Sequence, residues 1–239
     1  MNGNGSQILN LVRTICLGIQ ENRFPRGSRL PAERELSKNL DVSRSTLREA
    51  LRILEVIGIT HTKRGGGSYV GKEIHLTPLL SLLSPFLFDW DGYEVELVEL
   101  RILLELAAVE EAAKNINWET ARYLREPVRR MKLAVEKDDP GLCAETDIEF
   151  HERIFRTAQK PVMHKAAELI TLLLEVSTSG ARTAVMQRAE DPEILYRQHD
   201  KVLEALVAGD AERARMAMRT HLESVLNIYR KGPNAPDSQ

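Results

Sequence analysis

The chain has 239 residues, of which 43% are hydrophobic and 28% are charged. This composition excludes a disordered or fibrous chain, and at about 100–200 residues per domain it predicts two globular domains. Cys16 and Cys143 lie far apart and form no CxxC pair, which excludes a disulfide framework and fits a reducing compartment. The N-terminal segment shows no signal-peptide pattern, and the longest apolar stretch, residues 76–88, is too short to cross a bilayer and is interrupted by Pro78 and Pro85. We therefore expect a soluble cytoplasmic protein without a membrane partner.

The net charge of −2 conceals two parts of opposite sign. Residues 1–75 contain 12 Lys and Arg against 7 Asp and Glu, for +5, whereas residues 76–239 contain 21 against 28, for −7. A basic first domain joined to an acidic second domain predicts that the first meets a polyanion and that the second has another task.

The first part of the chain shows helical periodicity followed by a hairpin pattern. A first amphipathic helix is predicted to end before Phe24, and a second, short helix to cover residues 32–40. Ser43 can cap a third helix that runs to Ile57 and is closed by Gly58. Residues 59–70 then change to two short strands around a glycine tip. This order of elements predicts a winged helix-turn-helix over residues 1–72, with three helices and a β-hairpin wing.

The rest of the chain is predicted to be helical. Residues 73–93, which contain two prolines, predict a linker with one short apolar helix. Helices follow at 94–115, 118–137, 140–158, 161–184, 192–208 and 210–230, and together they predict an all-α antiparallel bundle over residues 94–231. Residues 232–239 cannot continue a helix and are expected to form a disordered tail. The fold class is therefore mainly α.

The start of the third helix carries the groups that DNA recognition needs. Backbone N–H groups at this end favour phosphate, and the hydroxyl groups of Ser43, Ser45 and Thr46 add donors. Arg44 and Arg48 are four residues apart and share one face, where each guanidinium can donate two parallel hydrogen bonds to guanine O6 and N7. The alternative is a solvated basic stripe on a surface helix; the capped start, the short turn and the hairpin favour DNA recognition. The residues that would pack against the first two helices are Leu47, Ala50, Leu51 and Leu54.

The hairpin tip places basic residues beside glycines. Lys63 and Arg64 precede three glycines at positions 65–67, so the tip can approach a DNA backbone or a minor groove. A glycine-rich tip is also typical of an ordinary turn. The sequence therefore predicts a wing, whose tip is either a DNA contact or an ordinary turn.

Four polar residues of the second domain could share a divalent cation. Asp147 and His151 are four residues apart and project from one helix face, while His199 and His221 lie within apolar stripes of two later helices. Buried imidazoles need partners, and one cation could satisfy all four side chains. The alternative is an exposed Asp147–His151 pair and two isolated core histidines with backbone partners. The remaining histidines, His61, His75 and His164, are expected to be structural.

Two segments resemble the winged-helix domain of GntR-family bacterial transcriptional regulators. They read FPRGSRLPAEREL at residues 24–36 and VSRSTLREAL at 42–51, and GGGSYV follows at 65–70. The residues that this resemblance assigns to the operator are Arg34, Arg44 and Arg48 for base edges and backbone, Thr46 for a phosphate, and Gly65 and Gly66 for the wing. The implied partner is double-stranded DNA.

The second domain resembles the FCD ligand-binding domain of the FadR subfamily. The resemblance covers most of residues 95–228 and includes DIEFH at 147–151, QH at 198–199 and HL at 221–222. It implies that Asp147, His151, His199 and His221 hold a divalent metal, with zinc first and nickel or manganese as alternatives. It also implies that Arg101 faces a pocket and binds a small organic acid, although Arg101 could simply pair with Glu105.

These observations predict a homodimeric transcription factor, a repressor rather than an activator. It would bind a palindromic operator, and a small carboxylate bound near a divalent metal would change its DNA affinity. One alternative is a repressor for which the metal itself is the signal. A less favoured alternative is a metal-dependent hydrolase, because no further base or nucleophile accompanies the four ligands.

Overall fold

The computed structural model describes residues 3–63, 66–72, 77–90, 92–177 and 192–231. The chain divides by packing into two compact units, Met1–Pro85 and Phe86–Gln239. The described residues form ten helices and one two-stranded sheet, which confirms the mainly α fold class. Within the described ranges, no helix is both long enough and apolar enough to cross a membrane.

The first unit contains three helices and a hairpin around one small core. Its elements are α1 (Gly3–Gln20), α2 (Glu33–Asn39), α3 (Arg44–Val56), β1 (Thr60–Lys63), β2 (Gly67–Val70) and most of α4 (Thr77–Leu87). Both α1 and α2 pack against α3. The fully buried side chains at the centre are Ile15, Leu36, Leu47, Ala50 and Leu54. The predicted apolar face of α3 is thus the face that packs on the first two helices.

The hairpin forms the predicted wing and is joined to the start of the helix-turn-helix. Strands β1 and β2 pair antiparallel, with Thr60 opposite Val70 and Lys63 opposite Gly67. The backbone of residues 28–30 extends along β2, because Leu30 N–H donates to the Ser68 carbonyl at 2.9 Å and Val70 N–H donates to the Ser28 carbonyl at 2.9 Å. Arg64 and Gly65, which the sequence assigned to the wing tip, lie outside the described residues.

Helix α4 is the short helix predicted within residues 73–93. Pro78 lies in its first turn, where a missing N–H breaks no hydrogen bond, and Pro85 lies inside the helix. Residues 73–76 and 91 lie outside the described ranges.

The second unit is a bundle in which α5 is central. Its helices are α5 (Tyr93–Lys114), α6 (Trp118–Glu136), α7 (Pro140–Ala158), α8 (Pro161–Ser177), α9 (Pro192–Val207) and α10 (Ala211–Lys231). α5 packs against α7, α8, α9 and α10, and α6 packs against α7 and α9. The bounds agree with the predicted helices to within one residue, apart from the end of α8, whose predicted position at residue 184 lies outside the described residues. Residues 178–191 and the predicted tail, 232–239, lie outside the described residues.

Candidate DNA interface and metal centre

Ser43 is the N-cap residue of α3. Its hydroxyl oxygen accepts the backbone N–H of Thr46 at 3.1 Å and lies 2.8 Å from the hydroxyl groups of both Ser45 and Thr46. This bond satisfies one of the backbone donors that the first turn of a helix leaves unpaired. The remaining N–H groups of the first turn and the exposed Ser45 hydroxyl stay available for a phosphate.

The structure places Arg44 and Arg48 on the exposed face of α3. Both side chains are more than half exposed, and both face the Glu33 carboxylate at the start of α2. Glu33 Oε2 lies 2.7 Å from Arg48 Nε and 3.7 Å from Arg44 Nη2. Sequence reasoning missed Glu33, because an ion pair between two helices depends on how the helices pack.

The other described DNA candidates lie on α2 and on the wing. Arg34 is exposed on α2 next to Glu33. Gly66 N–H donates to the Lys63 carbonyl at 2.8 Å, which closes the hairpin turn. Lys63 Nζ lies 4.7 Å from the centre of the Tyr69 ring, and the His61 ring stacks on the same tyrosine. His61 is thus a structural residue of the wing, as expected.

Asp147, His151, His199 and His221 come together inside the second unit. The first two lie on α7, His199 on α9 and His221 on α10, and all four are at least 95% buried. Each residue offers one ligand atom, and the four atoms lie within 4.8 Å of one another. The alternative of an exposed pair and two isolated core histidines is therefore wrong.

The second nitrogen of each imidazole donates to an oxygen acceptor. His151 Nδ1 lies 2.8 Å from Glu105 Oε2, His199 Nδ1 lies 2.8 Å from the Leu195 carbonyl, and His221 Nδ1 lies 3.2 Å from Gln198 Oε1. Because these oxygens only accept, they favour a proton on each Nδ1, which leaves Nε2 as the atom that a metal would bind. This arrangement favours the tautomer that a metal-ligating histidine needs.

The inward-facing atoms lie close together. His151 Nε2 and His221 Nε2 are 3.3 Å apart, and His199 Nε2 lies 3.0 Å from Asp147 Oδ1. Lone pairs of neighbouring imidazoles repel, and a shared cation removes this repulsion. Three imidazole nitrogens and one carboxylate oxygen form a donor set that suits zinc, nickel or manganese, so these residues fit a divalent metal.

Burial and neighbouring charges act differently on the histidines. Burial, together with His199 and His151, lowers the pKa of His221 well below its usual value, so this ring is neutral at neutral pH. Burial also acts to lower the pKa of His151, but the Glu105 carboxylate outweighs it and the pKa of His151 is raised. His221 is thus ready to act as a ligand, whereas His151 holds its proton more tightly.

Arg101 and Glu105 form a buried ion pair beside this cluster. Arg101 Nε donates to Glu105 Oε1 at 3.0 Å, and both side chains are more than 90% buried. Burial raises the pKa of Glu105, but His151 and Arg101 outweigh burial and lower it to about 2. Arg101 Nη2 is also buried, and it has no hydrogen-bond partner among the described residues. The pairing with Glu105 that the sequence allowed thus exists, and it leaves the Nη2 amino group of Arg101 without a partner in the described part of the chain.

The remaining histidines take no part in the cluster. The His164 ring stacks on Phe155 at 5.9 Å and lies 3.3 Å from Glu168, which fits the structural role expected for it. His75 lies outside the described residues.

A winged helix-turn-helix with exposed arginines, in one chain with a helical unit that encloses a polar cluster, defines a DNA-binding transcription regulator. The chain matches the gntR family of bacterial regulatory proteins over residues 10–70 and the FCD domain over residues 96–224. It belongs to the GntR family, in the FCD-containing kind known as the FadR subfamily. Its domains and relatives are those of transcription regulators and not of enzymes, which removes the hydrolase alternative.

Similar proteins match this chain over most of its length. A protein assigned to the regulation of the L-lactate dehydrogenase operon of Escherichia coli K12 is 29% identical over 87% of this chain and 80% of its own length. The transcriptional repressor NanR of Salmonella newport is 28% identical over 87% of this chain and 79% of its own length. The structure of a GntR protein from Streptococcus agalactiae has a TM-score of 0.72 and 27% identity, and the match covers 92% of this chain and 99% of that one.

Proposed function

We propose that this GntR-family regulator is a homodimeric repressor whose DNA affinity changes when a small carboxylate binds beside a divalent metal. The observation that carries the proposal is the buried Arg101, whose Nη2 has no partner in the described part of the chain. Arginine does not lose its proton, so a buried guanidinium with an unused donor calls for an anion.

The charges of the cluster support the same ligand. With a divalent cation and three neutral imidazoles in place, the charges of the cation, Arg101, Glu105 and Asp147 leave one positive charge in excess. A monocarboxylate would neutralise it. When bound, the metal would supply positive charge and an open coordination position for a second oxygen of the ligand. L-lactate, the substrate named in the operon of the E. coli relative, is an acid of this kind.

On the DNA side, we propose that Arg44 and Arg48 read guanine edges in the major groove and that Ser45 and Thr46 bind phosphate. Arg34 would add a base or backbone contact, and the tip residues Arg64, Gly65 and Gly66 would contact DNA through the wing. The exposure of both arginines of α3 supports this assignment.

We propose a dimer because a two-fold protein presents two recognition helices to a palindromic site. Residues 1–72 would form the DNA-binding domain, and residues 94–231 the effector-binding and dimerisation domain. Residues 73–93 would transmit the effector signal between them. Sedimentation measurements test the dimer, and a proline inserted after residue 72 should change operator affinity in the absence of any acid.

A thermal-shift screen of the purified protein against small carboxylates, with its metal content determined, tests the pocket. A ligand at about a hundred times its Kd should raise the melting temperature by about 5 °C or more. Arg101→Ala and His199→Ala should lose this shift, whereas Arg213→Ala, an exposed control, should keep it.

The same screen separates the alternatives. A stabilising acid should then change the affinity for an operator selected from random duplexes, and an acid that binds without this effect contradicts the regulatory role. If added metal alone changes DNA binding and no acid does, the metal-sensing repressor replaces the acid-responsive one.

A further inference from the structure

A single carboxylate joins the two exposed arginines of α3 to the start of α2. Glu33 is the first residue of α2, and Arg44 is the first residue of α3. Glu33 Oε2 accepts a hydrogen bond from Arg48 Nε at 2.7 Å and forms an ion pair with Arg44 Nη2 at 3.7 Å. The contacts cross the turn of the helix-turn-helix, so α2 holds the arginines of α3 from one side.

The hydrogen bond from Arg48 to Glu33 leaves the two terminal amino groups of Arg48 available to contact a base. A guanidinium has one Nε–H and two terminal amino groups. Arg48 gives its Nε–H to Glu33 and makes no other hydrogen bond or ion pair with a described residue. Its two terminal amino groups therefore remain as a parallel pair, which matches the O6 and N7 acceptors of guanine.

A carboxylate at this position lowers the affinity of the protein for DNA of any sequence. It lies between two cations on a surface that faces a polyanion, where it repels phosphate and cancels part of the attraction of the arginines. An arginine that moves freely can bind any nearby phosphate, whereas one held by Glu33 binds well only where a base edge fits it. The carboxylate should thus lower the affinity for all DNA and increase the discrimination between sequences.

We propose that Glu33 is a specificity-determining positioning residue, which orients Arg48 and Arg44 for base reading and weakens binding to non-cognate DNA. The inference rests on the proposed base reading by these two arginines.

The test compares Glu33→Gln with Glu35→Gln. Glu35 lies two residues later in the same turn of α2, is exposed and pairs with no described residue, so its replacement removes the same charge without an arginine contact. An operator is first selected from randomised duplexes with the wild-type protein. Affinities for this operator, for its single base-pair variants and for a scrambled duplex are then measured at one fixed salt concentration.

Both glutamine variants should bind the scrambled duplex more tightly, by up to about fivefold, because each loses one negative charge. Only Glu33→Gln should reduce the ratio of operator to scrambled affinity, by about fivefold or more, with the loss at the base pairs that Arg44→Ala or Arg48→Ala also relaxes. Glu33→Asp keeps the charge but shortens the side chain, and it should lose specificity without gaining non-specific affinity. Circular dichroism melting confirms that each variant is folded.

Three results would overturn the proposal. If Glu33→Gln keeps the wild-type ratio, or if Glu35→Gln lowers the ratio equally, then Glu33 contributes only charge. If Arg44→Ala and Arg48→Ala leave every base preference unchanged, the base-reading assignment fails and the role of Glu33 fails with it. If the arginine variants relax base preferences but Glu33→Gln does not, only the inference about Glu33 fails.

Discussion

Glu105 Oε2 lies 2.8 Å from His151 Nδ1, although the two residues are 46 positions apart and belong to different helices. The other oxygen of this carboxylate accepts Arg101 Nε at 3.0 Å. One buried side chain thus supports both the candidate metal ligand and the candidate anion-binding group.

Glu105→Gln should weaken metal binding about 10–100-fold, because His151 loses the charged acceptor that orients it and raises its basicity. Competition against a chelator of known affinity measures this change. Glu99→Gln is the matched control, since Glu99 lies on the same helix in an exposed ion pair with Arg230. Equal metal affinity in the Glu105 variant and the wild type would contradict the supporting role of Glu105.

Metal binding should release protons because of His151. The pKa of His151 is raised above its usual value, so its protonated fraction persists towards neutral pH, and a cation must displace that proton. Apparent metal affinity should therefore rise as the pH increases through this range. Calorimetry at pH 6.5 in buffers of different ionisation enthalpy should find more than half a proton released per metal. The release should shrink in Glu105→Gln, which lacks the charge that retains the proton, and an unchanged release there would refute this origin.

Removal of the metal should destabilise the second unit. A metal held at about a thousand times its Kd adds about 4 kcal/mol to the free energy of unfolding, so a chelator should lower the melting temperature by about 8 °C or more. His199→Ala, which removes a fully buried ligand candidate, should melt lower and respond little to the chelator. His61→Ala changes only the wing and should respond like the wild type. A chelator response that His199→Ala retains in full would rule out His199 as a ligand.

Ser43→Ala should loosen the first turn of α3, because it removes the acceptor for the Thr46 N–H. Loss of such a cap costs about 1 kcal/mol. Hydrogen exchange at the Thr46 amide measures the effect locally, and its protection should fall about fivefold. Ser45→Ala removes a neighbouring hydroxyl that accepts no backbone N–H of this turn, so it should leave the protection of Thr46 nearly unchanged. Equal loss in both variants would show that the cap is not the cause.

The elements were predictable where local chemistry determines them. Pro140, Pro161 and Pro192 each begin a helix, because proline fits the first turn and lacks only an N–H that has no partner there. Ser43 marked the start of α3 because its hydroxyl oxygen can accept a backbone N–H of the first turn. The predicted end of α8 at residue 184 lies outside the described residues.

The candidate sites were predictable only in their local parts. The spacing of Asp147 and His151 put both on one helix face, but helix packing decides that His199 and His221 meet them. The oxygen acceptors of the imidazoles come from a carboxylate, an amide and a backbone carbonyl on other turns or helices, and no sequence period identifies them. Glu33 was missed for the same reason.

Backbone hydrogen bonds between residues 28–30 and β2 tie the wing to the segment that leads into α2. The segment that leads into α2 also pairs with β2, through the bridge between Arg29 and Tyr69, so the wing cannot tilt without displacing the start of the helix-turn-helix. A second link, from the Thr62 N–H to the Glu55 carboxylate at 2.9 Å, fastens the other strand to α3. These two links hold α3 and the hairpin at a fixed separation, so in the proposed binding mode the fold itself would set the spacing between the DNA contacts of the helix and those of the wing.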